Sequence, residues 1–96
     1  MAKGPEAKLK AECRAWMRSQ GAYVFSPVQM GYGAATLDDL VCWEGKFVAI
    51  EYKRPDTRPL PTRRQAFVAA EIEKAGGFAA TVYTLRELQA KLEWDS

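Results

Sequence analysis

The stretch from Leu37 to Pro55, LDDLVCWEGKFVAIEYKRP, leaves this chain few choices of fold. Two apolar runs, LVCW and FVAIEYK, are rich in β-branched and aromatic residues. They flank EGK, whose Gly45 supplies the backbone freedom of a tight turn. A hairpin is therefore predicted, and with it a sheet. The RPDTRPLP that follows holds three prolines in eight residues and cannot be regular structure, so a loop leaves the second strand. The hairpin also carries Asp38, Asp39, Glu51 and Lys53 at strand positions. Carboxylates form strands poorly and resist burial, so a compensating group is expected, and a metal ion is one candidate.

The flanks complete the pattern. GPEAKLKAECRAWMRSQG predicts an amphipathic helix from about Pro5 to Gln20, with Leu9, Cys13, Trp16 and Met17 on one face, proline in the first turn and Gly21 at its end. AYVFSP predicts a short strand, and VQMGYGAAT a glycine-punctuated link to the hairpin. Beyond the prolines, Thr62 and Gln65 have capping-box spacing before AFVAAEIEKA, a second helix running to Gly76. FAATVY predicts a fourth strand, and Thr84 with Glu87 a second box opening the last helix, LRELQAKLEW. The order is α-β-β-β-α-β-α, an α/β chain with a mixed four-stranded sheet and a C-terminal helix. Its 96 residues hold one domain, residues 1–96, with a single core.

Composition narrows the chemistry. The chain is 48% hydrophobic and 27% charged, an ordinary globular balance that excludes a fibrous or disordered class. No run approaches the ~20 apolar residues of a membrane helix, and MAKGPEAKLK has no apolar run for a signal peptide. A soluble, intracellular, cytoplasmic protein is expected. Cys13 and Cys42 stand far apart among apolar residues, which predicts reduced core thiols. With no histidine, a metal would depend on carboxylates, favouring magnesium, manganese or calcium over zinc.

Strand alternation puts Glu51 and Lys53 on one face, about 7 Å apart along the backbone, with Val48, Ile50 and Tyr52 on the other. The third group depends on the turn. A three-residue loop of Glu44, Gly45 and Lys46 sets Asp39 opposite Glu51; a two-residue loop of Glu44 and Gly45 sets Asp38 there. Either way two carboxylates share a patch and repel unless protonated or bridged by a cation. Magnesium held by one or two carboxylates, with water and substrate phosphate completing its shell, is the arrangement used in phosphoryl chemistry. A bare E-x-K equally suits an exposed cross-strand ion pair worth about 0.2–1 kcal/mol. From Lys53 to Arg64, five basic residues stand against Asp56 alone. The first helix adds Lys8, Lys10, Arg14 and Arg18, so contacts to phosphates are expected.

Glu51-Tyr52-Lys53 twelve positions after Asp39, within this element order, resembles the PD-(D/E)xK nuclease superfamily. More narrowly it resembles the VRR-NUC family, through Glu6 on the first helix, Gly33, Asp39-Leu40, the E-x-K and the LPTRRQ ending at Gln65. The family usually has proline before the aspartate, where this chain has Asp38. The resemblance selects Asp39, and with it the three-residue turn. It implies Mg²⁺, replaceable by Mn²⁺, on Asp39, Glu51, the Tyr52 backbone carbonyl and, through water, Glu6. Lys53 would assist the nucleophile and Gln65 support the site.

The implied function is a metal-dependent DNA endonuclease acting on branched DNA, as a homodimeric four-way-junction resolvase. Its DNA contacts would come from Lys8, Arg54, Arg58, Arg63 and Arg64, with no membrane partner. Trp16, Tyr23 and Tyr32 are candidates for base stacking as well as for the core. Competing readings are a nickase or sequence-directed endonuclease working with other subunits, and a DNA-binding module without catalysis.

Overall fold

The computed structural model describes residues 4–28 and 35–93. Its elements are α1 (Pro5–Ser19), β1 (Tyr23–Phe25), β2 (Asp39–Trp43), β3 (Lys46–Tyr52), α2 (Arg63–Lys74), β4 (Phe78–Val82) and α3 (Leu85–Leu92). This is the order expected from the sequence. The sheet runs β1-β2-β3-β4, antiparallel through the first three strands and parallel between β3 and β4, because α2 carries the chain back across the sheet. Gly33 and Tyr32 lie outside the described residues.

One face of the sheet makes the core. Val48, Ile50 and Tyr52 of β3 point to it with Val41 and Trp43 of β2 and Val82 of β4, and they meet Leu9, Cys13 and Met17 of α1 and Leu88 and Leu92 of α3. Trp16 stacks on Trp43 with ring centroids 5.4 Å apart, so its place is beside the core and not on a free surface. Burial pushes the Cys13 thiol up to about 12, leaving it an inert packing residue. Cys42 departs from expectation. It lies on the other face of β2 and is exposed, because adjacent strand residues point opposite ways.

The second face is covered by α2 over β3 and β4, where Gln65, Ala66 and Ala69 pack near Glu51, Ala79 and Thr81. Thr62 and Gln65 form the expected capping box at its start. The second expected box is half made. The Thr84 side chain accepts from the Glu87 backbone N–H, but the Glu87 carboxylate accepts from Tyr83 and Arg58 instead of returning to the cap. Behind α2 the chain re-enters the sheet through Gly77, where a Cβ would stand 2.9 Å from Ile72 Cγ2 and 3.0 Å from Phe47 Cδ2. Over β1 and β2 this face has no helix among the described residues. Tyr23 is 70% exposed there, and Phe25, Phe47 and, on α2, Phe67 are also exposed.

The hairpin turn decides the register. Trp43 pairs with Lys46, so the loop is Glu44 and Gly45 alone, and not the three-residue turn that the resemblance selects. Both loop residues have positive φ, 50° and 82°, the signature of a type I′ turn that matches the twist of the strands. Glutamate is strained in that conformation, whereas asparagine adopts it readily. Glu44→Asn should therefore raise stability by about 0.5–1 kcal/mol, a rise in Tm of a few degrees in a thermal melt, with function unaltered.

Candidate active site

With Asp39 across from Ile50, the next step of the antiparallel ladder sets Asp38 across from Glu51. The two-residue turn thus reverses the expected assignment. Asp38 shares the Glu51 face, and Asp39 points through to the core. A one-residue change of register moves every side chain of a strand to the opposite face.

Asp38 Oδ2 accepts from the Tyr52 backbone N–H at 2.9 Å, which ties it to the end of β3. Glu51 is only 7% exposed. Burial, and then the charge of Asp38, push the Glu51 carboxyl up to about 7 against the opposing pull of Lys53. Two acids therefore compete for one small space, with an amine beside them. Glu51 Oε2 also accepts from Gln65 Nε2 at 2.7 Å. Gln65 divides its amide: the oxygen accepts from the Thr62 N–H at 2.9 Å and closes the helix cap, while the nitrogen holds Glu51. The expected cap is therefore made, and a different atom of the same side chain is left to contact Glu51.

Asp39 does other work. It is fully buried, and its two oxygens accept from Arg14 Nε at 3.1 and 2.9 Å, from Arg14 Nη2 at 2.9 Å, from Ser26 Oγ at 2.7 Å and from the Tyr52 hydroxyl at 2.6 Å. The hydrogen bond to Asp39 raises the Arg14 pKa still further, and burial followed by the same carboxylate pushes the Tyr52 phenol upward. Every oxygen of this acid is engaged, and the contacts join α1, the β1 end, β2 and β3. Its chemistry is that of a structural clamp.

Glu6 lies at the start of α1, as the sequence suggests, but its side chain is part-exposed instead of packed inward beside Leu9. It meets Lys10 one turn on, with Nζ 3.3 Å from Glu6 Oε2 and 3.9 Å from Asp38 Oδ1. In the sequence Lys10 stands out only as part of a basic cluster; its four-residue spacing from both Glu6 and Arg14 is the signal that aligns all three on one stripe of α1.

The basic loop divides. Arg54 pairs with Asp56 at 2.6 Å, and Arg58 pairs with Glu87 at 2.8 Å while its guanidinium lies 4.3 Å over the Tyr83 ring. The Tyr83 hydroxyl donates to the Pro59 carbonyl at 2.7 Å, so these contacts brace the loop against α3 and the end of β4. Lys8, Arg63 and Arg64 are exposed. The last two open α2, where backbone N–H groups and cations together suit a phosphate.

Among the described residues no cluster of three or more Asp, Glu, Cys or His side chains is close enough to cage a metal by itself. The donor set is Asp38 and Glu51, two hard oxygen ligands under mutual repulsion. That set fits an ion of the magnesium type, which takes one or two carboxylates and keeps water or phosphate in its other positions. It does not fit zinc, which prefers nitrogen and sulfur ligands.

No family model matches the sequence, and no curated protein matches it. Among solved structures the chain is similar to one described as "VRR_NUC domain", with a TM-score of 0.81 and 17% sequence identity over 98% of this chain and 100% of that one. The likeness takes in all seven elements. The fold is that of a VRR-NUC domain, a mixed sheet compatible with a PD-(D/E)xK core. No helix among the described residues is long and apolar enough to cross a membrane.

Proposed function

We propose that this protein is a metal-dependent DNA endonuclease that cleaves phosphodiester bonds in branched DNA, with Asp38 and Glu51 as its metal-holding carboxylates. The observation that carries this reading is the pairing of those two acids at the end of β2 and β3, with Glu51 pushed up to about 7 beside Lys53. The nuclease fold supports it.

Within this reading Asp38 and Glu51 would hold Mg²⁺ or Mn²⁺ together with the backbone carbonyl of Tyr52, the residue whose N–H donates to Asp38. When bound, the ion supplies Lewis acidity toward the phosphate and water. Gln65 holds the Glu51 carboxylate through Oε2 so that the group keeps one direction. Lys53 orients the attacking water and offsets the negative charge that grows on the phosphate. Glu6 acts through Lys10 and water at the rim. Lys8, Arg63 and Arg64 position the DNA backbone, while Arg54 and Arg58 shape the loop that borders it.

A four-way junction is the substrate proposed; cutting it symmetrically needs two sites, so a two-fold homodimer is part of the proposal. The exposed apolar face of Tyr23, Phe25, Phe47 and Phe67 supports self-association. The test is cleavage of a labelled four-way junction and of its linear arms in Mg²⁺, Mn²⁺ and EDTA, beside Lys53→Ala. Paired, metal-dependent cuts at the junction are expected, reduced at least ~100-fold in the variant. Equal cutting of linear arms would overturn the junction assignment, and no cutting in either metal would overturn the enzyme.

A further inference from the structure

The stripe Glu6, Lys10, Arg14 on α1 runs past two consecutive acids, Asp38 and Asp39, and gives each a cation. The two pairs are unlike. Arg14 holds fully buried Asp39 through three hydrogen bonds of 2.9 to 3.1 Å. Lys10 stands 3.9 Å from Asp38 Oδ1, at the outer limit of an ion pair, while closer to Glu6 at 3.3 Å. The Arg14 clamp sets where α1 lies, and so places an ammonium one turn earlier against the face that Asp38 shares with Glu51.

Resting on the function proposed above, we infer that Lys10 is a built-in counter-ion of the carboxylate site, which a divalent cation must displace from Asp38 in order to bind. The geometry suits exchange. The contact to Asp38 is long, Lys10 keeps Glu6 as a second partner to fall back on, and its four-carbon stem reorients easily. Without a metal, the ammonium offsets the repulsion between Asp38 and Glu51. With a metal, it becomes a like charge beside the ion and weakens its binding. Freed from Asp38 at the rim, it is then available to a phosphate oxygen.

The experiment is titration of the metal-free protein with Mn²⁺ alone, by calorimetry and by the loss of free-ion EPR signal, at fixed pH and low salt. The proteins are wild type, Lys10→Met, Lys10→Gln and Lys10→Arg, with Asp38→Asn as control. Removing one positive charge at about 4 Å from a ligand carboxylate should tighten Mn²⁺ binding roughly tenfold in both neutral variants. Arginine should leave it within about threefold of wild type, and the gap should narrow as salt rises. Both neutral variants should also melt lower than wild type in EDTA. Binding that depends on Asp38 but is unchanged or weaker in both neutral variants would overturn the counter-ion role alone. Binding absent from wild type, or indifferent to Asp38→Asn, would overturn the metal site and this inference together.

Discussion

Asp39→Ala should cost about 3–5 kcal/mol and lower Tm by at least ~12 °C in a thermal melt, whether or not metal is present. The carboxylate is fully buried and accepts from Arg14, Ser26 and Tyr52. Without it a guanidinium and two hydroxyls lose their acceptor at once, and leaving such groups unpaired costs far more than the net worth of the bonds. The side chain also joins α1 to the sheet, so its loss loosens the helix that carries Glu6 and Lys10.

Asp38→Ala should do the opposite. It loses one bond from the Tyr52 N–H and a long ion pair, but it relieves repulsion on Glu51, so stability in EDTA should stay within about 1 kcal/mol of wild type. Cleavage and Mn²⁺ binding should disappear. Circular-dichroism melts set beside a metal titration separate the neighbours: a stable, metal-blind Asp39→Ala with an unstable, metal-binding Asp38→Ala would reverse the assignment made here.

The side of the sheet that each acid takes shows where the sequence was legible. Element order, the helix face of Leu9, Cys13 and Met17, and the split of Glu51 and Lys53 from Val48, Ile50 and Tyr52 all follow from periodicity, since each is a local pattern. The register is a pairing between strands, and in β2 periodicity says nothing about it. Leu40 and Cys42 alternate with Val41 and Trp43, so both faces read as apolar and either acid could turn inward. What decides is a turn in which Glu44 accepts a positive φ. Burial of Asp39 depends on Arg14 and Ser26, which reach it from 25 and 13 residues away, and no local pattern announces such partners. The resemblance named the acid before leucine; the ladder places the preceding one beside Glu51.

The metal-free protein should lose stability as pH rises from about 4.5 to 7, contrary to the usual behaviour of a carboxylate held in an ion pair. Burial and the neighbouring Asp38 raise Glu51 from 4.5 to about 7 in the folded state. Between those values the folded protein holds a proton on Glu51 that the unfolded chain has released, so the Glu51 contribution to stability is greatest below the lower value and declines until the upper one is passed. The full difference is on the order of 3 kcal/mol. Proton and divalent cation compete for the same oxygens, so Mn²⁺ affinity and cleavage should climb through this window and level off above about 7. Saturating Mg²⁺ should accordingly restore Tm above pH 7 and do little near pH 5. Glu51→Gln removes the titrating group, and melts in EDTA across about pH 5 to 9 should show its Tm declining less than wild type. Parallel profiles for the two proteins would mean that the Glu51 carboxyl titrates in its ordinary range, and that Asp38 and Glu51 are not the strained pair on which a cation would act.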